Sequence, residues 1–136
     1  MRTFRLILRD TAEHESIDGL VSFVGEDPSG SFGILAGHGR MITSLVFGLA
    51  RFRTAQGPWQ YLAMPGAMLY FCDGQLRIDT RRYLLGTDYE RISEALVQEL
   101  AAEEQDLMEM KTNLRRIEES IMRRLLEMEG QETVHE

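Results

Sequence analysis

A small antiparallel β-sandwich followed by a C-terminal helical arm is the fold class this sequence predicts. Three observations predict it. Eleven of the twelve glycines, all three prolines, all six phenylalanines and Trp59 lie at or before Gly86. From Thr87 to Glu129 the chain runs 43 residues with neither Gly nor Pro. Within the first part, short apolar segments recur between turn signals at about 8–12 residue spacing, the pattern of a sandwich or barrel. Turn-rich aromatic sequence suits short strands, whereas a long breaker-free stretch suits helix. The expected division is residues 1–86 as sandwich, 87–129 as arm and 130–136 as a frayed tail.

The strands follow in order. Phe4, Leu6 and Leu8 alternate with Arg5 and Arg9, as a half-buried strand does. Asp18-Gly19 predicts a turn before the strand Leu20–Val24, and Glu26–Gly30 predicts the next turn. Leu45–Arg53 reads as one strand, clearest in the alternation of Leu49, Ala50, Arg51, Phe52 and Arg53. Gln56-Gly57-Pro58 turns the chain into Trp59–Ala63, and Pro65-Gly66 turns it into Met68–Cys72. Asp73-Gly74, the strongest short hairpin signal present, returns it as Leu76–Thr80.

In the arm, Thr87-Asp88-Tyr89-Glu90 has the spacing of a capping box, with Thr87 as the cap. Gly130 is a natural stop. Leu100, Leu107, Leu114, Ile121 and Met128 recur every seven residues, and Met110 and Ile117 add a second seam position. Glu103 and Arg124 interrupt that second position, and Ile92 and Leu96 extend the stripe upstream. The pattern leaves two forms open: one helix of roughly 60 Å, or two antiparallel helices with a turn between Glu103 and Asn113.

Charge divides along the same boundary. Residues 1–86 carry nine arginines against eight acidic residues, and residues 87–136 carry six basic against fourteen acidic residues. An acidic arm argues against nucleic acid as partner, because phosphate binding needs clustered positive charge. No stretch approaches the ~20 apolar residues of a membrane-spanning helix. The N-terminus leads into an alternating strand rather than the apolar run of a signal peptide. The lone Cys72 allows no intramolecular disulfide and fits a reducing compartment as a buried structural thiol.

Catalytic patterns are missing from the sequence. Gly30-Ser31-Phe32-Gly33 lacks the lysine and spacing of a phosphate loop. His14, His38 and His135 are widely separated and fit no metal-ligand set. The expectation is therefore a chain with no catalytic residues, no metal and no cofactor of its own. One segment stands apart, Gly30-Ser31-Phe32-Gly33-Ile34-Leu35-Ala36-Gly37-His38-Gly39-Arg40-Met41-Ile42-Thr43. Its glycines permit tight turns and close backbone approach to another surface, and His38, between two of them, belongs on a loop.

That segment resembles the signature of the epsilon subunit of rotary F-type ATP synthases, G-x-x-G-I-L-P-G-H-x-P-L-x-T. Gly30, Gly33, Ile34, Leu35, Gly37, His38 and Thr43 match it. The order of sandwich, glycine and helices is also similar, so the resemblance covers about 128 residues. Ala36 and Arg40 stand where the family commonly has proline, and Ser31 where it often has an acidic residue. This divergence points to an alternative-type bacterial ATPase. The resemblance implies a non-catalytic rotor subunit at the foot of the central stalk, on the cytoplasmic face of the bacterial inner membrane. Its implied partners are the gamma subunit and the c-ring, with Ser31 and His38 in the loop region facing the c-ring. It further implies an arm that, when extended, contacts the alpha/beta catalytic hexamer through Arg115, Arg116, Arg123 and Arg124 and brakes ATP hydrolysis. The seam Leu100, Leu107, Leu114, Ile117 and Ile121 would then pack on a neighbour. Some relatives bind regulatory ATP through an I/L-D-x-x-R-A motif at the start of the arm. Here Ser93 replaces the arginine and Glu94 adds like charge, so no ATP binding by that route is expected. The competing reading, from the amphipathic arm alone, is a free-standing sandwich adaptor that oligomerises through its heptads.

Overall fold

The structure is a computed structural model that describes residues 2–134, with side chains described as far as residue 130. Nine strands form the N-terminal body: β1 (Phe4–Arg9), β2 (His14–Asp27), β3 (Gly30–Ile34), β4 (Met41–Leu45), β5 (Gly48–Thr54), β6 (Gln60–Met64), β7 (Ala67–Cys72), β8 (Gln75–Thr80) and β9 (Leu84–Gly86). The hydrogen-bonded order is β4-β7-β8-β1-β2-β5-β6-β9, with β3 also on β2.

The long strand β2 belongs to both layers. Its first half pairs with β1, and from Leu20 onward it pairs with β5, with β3 on its other edge. The transfer occurs at Gly19, whose φ of +77° is open to glycine and strained for other residues. An extra residue there shifts the register against β1, and a second shift, against β5, follows between Leu20 and Ser22. Asp18-Gly19 is therefore a bulge that bends one strand rather than the expected turn between two.

Alternation then puts one side of each layer into a common core. Phe4, Leu6, Leu8, Leu69, Phe71, Leu76 and Ile78 come from one layer; Phe23, Ile34, Ala50, Phe52, Leu62 and Met64 come from the other. Fully burying a side chain of this size contributes about 1.5–3 kcal/mol. Tyr83 closes the edge of the core, its hydroxyl donating to Glu15 Oε1 at 2.8 Å. Burial, then that hydrogen bond, pushes its ionisation well above the usual tyrosine range.

Two further expectations are corrected. The sheet is mixed, because β1 and β8 run parallel, with Arg5 opposite Gln75 and Arg9 opposite Asp79. Short turns dictate the direction only of consecutive strands, and a whole domain of chain separates this pair. The expected strand Leu45–Arg53 is broken at Val46-Phe47, where the chain passes from β4 to β5 and the Val46 N–H donates to the Glu26 carbonyl. Residues 30–45 hold two strands, β3 and β4, around a turn. At Asp73-Gly74 the expected hairpin forms, with φ of +50° and +74°.

Helical conformation is continuous from Tyr89 to Val134, so the one-helix form is adopted and no turn falls between Glu103 and Asn113. It comprises α1 (Tyr89–Ala95), a π turn (Leu96–Leu100) and α2 (Ala101–Val134). Gly130 does not end it. Asp88, not Thr87, is the cap, accepting from the N–H of Glu90 and of Arg91. A carboxylate is the stronger, charge-assisted acceptor and suits the positive end of the helix dipole. By internal contacts the chain divides into Met1–Ala101 and Ala102–Glu136, so α1 and the π turn belong with the sandwich.

Candidate functional site

The glycine-rich segment starts from a carboxylate clamp. Asp27 ends β2 and is buried. Its Oδ1 accepts from the Ser29 N–H at 2.9 Å and from the Ser29 hydroxyl, and its Oδ2 accepts from Thr43 Oγ1 at 2.7 Å. These bonds, Ser29 first and Thr43 next, hold the carboxyl below its ordinary range. One side chain thus ties the β2–β3 turn to β4, the two ends of the signature segment. Sequence reasoning missed Asp27, although Asp-Pro-Ser is itself the signal of such a turn.

Between those ends, β3 separates the two residues assigned to a single loop region. Ser31 pairs opposite Glu26, next to the turn, and is exposed. It lines a cleft of about 260 Å³ with Glu26, Arg51, Tyr61 and Tyr89. His38 lies past the other end of β3, in a turn closed by its N–H on the Leu35 carbonyl at 2.9 Å. Its Nδ1 lies 2.7 Å from the Gly39 carbonyl, so Nδ1 carries the proton and Nε2 is left for a partner. The imidazole stands edge-on to Phe71 with ring centres 5.8 Å apart. It lines a different cleft, of about 450 Å³, with Arg2, Arg40, Cys72 and Asp73. The structure therefore does not bring Ser31 and His38 together. Cys72 is half-buried there.

The start of the arm is anchored on the outer face of the second layer. Ile92 and Leu100 are buried with Ala63, among Leu49, Tyr61, Leu84 and Leu96. Tyr89 packs edge-on against Tyr61 at 5.3 Å. Gly86 makes the approach possible, since a Cβ there would lie 2.8 Å from Ile92 Cδ1. Arg82 Nη2 donates to Glu99 Oε2 at 3.1 Å beside this contact. Ser93, at the position of the arginine in the ATP-binding motif, has a buried hydroxyl with no hydrogen-bond partner.

Beyond the anchor the seam changes character. Leu100 is buried and Leu107 half-buried, whereas Leu114, Ile117 and Ile121 are each more than half exposed, as are Met110, Leu125 and Met128. The four arginines are exposed and do not form one cluster. At 100° per residue, Arg124 falls in the second position of the seam itself, whereas Arg115, Arg116 and Arg123 lie on the far side of the helix. Among the described residues none of the four makes an ion pair.

The described residues thus present a glycine-rich corner on the sandwich and an exposed apolar seam on α2. No group of His, Cys, Asp or Glu among the described residues is placed to hold a metal. No described helix is long and apolar enough to cross a membrane. Residues 10–85 match the family described as ATP synthase, Delta/Epsilon chain, beta-sandwich domain, and the chain belongs to that family. It is similar to ATP synthase epsilon chain 2 of Cereibacter sphaeroides, 36% identical over 89 residues. That match covers 65% of this chain and 61% of the relative, less than two thirds of the relative's length. Its fold is similar to a chain of the Euglena gracilis mitochondrial ATP synthase, with a TM-score of 0.57 and 21% identity over 74% of this chain and 64% of that one. A chain in the central stalk/c-ring structure of the Tetrahymena thermophila enzyme gives a TM-score of 0.52 and 13% identity over 62% and 69%.

Proposed function

We propose that this chain is the non-catalytic epsilon subunit of a rotary F-type ATP synthase. It would sit in the central stalk on the cytoplasmic face of a bacterial inner membrane, with the gamma subunit and the c-ring as partners. There it couples ion flow through the c-ring to ATP synthesis. The observation that carries this reading is the family match over residues 10–85, whose span includes the whole glycine-rich signature. The relative from Cereibacter sphaeroides supports it. Two parts are finer proposals. His38, with a free Nε2 on an exposed turn, is the better candidate of the two loop residues for a c-ring contact; Ser31 lies at the other end of β3. The exposed seam of α2, with Arg124 within it, is the surface for the catalytic hexamer when the arm restrains hydrolysis.

Affinity capture of tagged chain from its native membranes, with mass spectrometry of what accompanies it, tests the reading. Recovery of gamma, alpha, beta and c-ring subunits is expected. Recovery of this chain alone as a self-oligomer would overturn it in favour of the adaptor. The regulatory part needs truncation after Ala101 rather than after Gly86, because the earlier cut would strip Ile92 and Leu100 from Ala63. The shortened chain is expected to assemble and couple while hydrolysis rates change; loss of assembly would contradict the regulatory role.

A further inference from the structure

The π turn at Leu96–Leu100 is an irregularity in the helix, and the local sequence explains it. Ile92, Leu96 and Leu100 are spaced four apart, longer than the 3.6 residues of an α-helical turn. In an unbroken α-helix, Glu99 and Glu103 would fall within about 20° of Ile92, and Leu100 would stand about 80° away. The buried face would then receive two carboxylates. The π turn adds one residue to that turn. Its hydrogen bond runs from the Ala101 N–H to the Leu96 carbonyl, five residues back. As a result Leu100 reaches Ala63 with none of its surface exposed, Glu99 faces outward to Arg82, and Val97 is 68% exposed.

Leu100 also opens the seven-residue series of Leu107, Leu114, Ile121 and Met128. The same residue therefore ends the buried stripe and begins the exposed one. We propose that burial of Leu100 holds the π turn, and that freeing Leu100 lets Leu96–Leu100 relax to α-helix. The relaxation turns the residues after Ala101 by about 100° about the helix axis, the angle of one residue. The π turn is thus a switch in helical phase between the Ile92–Leu96 stripe and the seven-residue series. Only the consequence of this switch, presentation of the seam to a stalk partner, rests on the proposed function. The switch itself is a property of the isolated chain.

Scalar couplings across hydrogen bonds, measured by NMR on the labelled full-length chain, test it directly. The native chain is expected to couple the Ala101 amide to the Leu96 carbonyl. In Leu100→Ala the acceptor should move one residue, to the Val97 carbonyl. A swap, Glu99→Leu with Leu100→Glu, places a leucine at the α-helical phase and should give the same one-residue move with the anchor intact. Retention of the Leu96 acceptor in either variant, or loss of both couplings in the swap, would overturn the proposal. A failed membrane capture would sink the stalk reading and leave these couplings unaffected.

Discussion

Leucine, isoleucine and methionine meet opposite fates in the two parts of this chain. In the sandwich, Leu6, Leu8, Leu62, Leu69, Leu76 and Ile78 are wholly removed from solvent. In α2, Leu114, Ile117, Ile121, Leu125 and Met128 are each more than half exposed. The sheet closes its core with its own strands, whereas the apolar stripe of α2 is exposed among the described residues. Most helical stability in proteins comes from packing such a stripe. The sandwich thus carries its own core, and on the proposed function α2 completes its packing against a partner. The anchor at Ile92 and Leu100 marks where one regime gives way to the other.

The sharpest way to break this comparison is a pair of truncations. Phe52→Ala, in the core, should cost about 3–5 kcal/mol of unfolding free energy by chemical denaturation. Leu114→Ala should stay within about 0.5 kcal/mol in the isolated chain. A large cost at Leu114 would mean that the stripe is already packed in the free protein. Gly86→Ala should have an intermediate effect, about 1–3 kcal/mol, because its Cβ would force Ile92 aside. The loss should appear in hydrogen exchange as faster opening of residues 92–100, with the strands less affected.

Asp88→Ala removes the helix cap and should cost about 0.5–2 kcal/mol, confined to the start of α1 in helical circular dichroism and exchange. Asp27→Asn should show the clearest pH signature. The Asp27 carboxyl is held below its ordinary value of 3.8 in the folded chain. Its contribution is therefore fully present above that value and lost as pH falls through the folded value. The difference in melting temperature between native and Asp27→Asn chains should accordingly be greater at pH 7 than at pH 3. An equal difference at both would show that the clamp does not depend on the ionised carboxylate.

Legibility in the sequence followed the range of the interaction. Asp73-Gly74 specified its hairpin because both residues accept the left-handed backbone that the turn demands. The seven-residue series located the seam because helical periodicity is local. The parallel pairing of β1 with β8 was illegible, since no connecting turn dictates it. Gly19 was misread because a positive φ serves a bulge as well as a turn. The four-residue spacing of Ile92, Leu96 and Leu100 was visible, but only Ala63, nearly thirty residues upstream of Ile92, turns it into an anchor with a π turn. Ser31 and His38 looked like members of one loop because the strand between them is short and glycine-rich, with little alternation to announce it.

Hydrogen exchange of the full chain, alone and in complexes captured from its membranes, tests the central contrast most directly. The account predicts that residues 4–100 are protected in both states and that residues 102–128 exchange fast alone and slowly in the assembly. Protection of 102–128 in the free chain, or no gain on assembly, would contradict it.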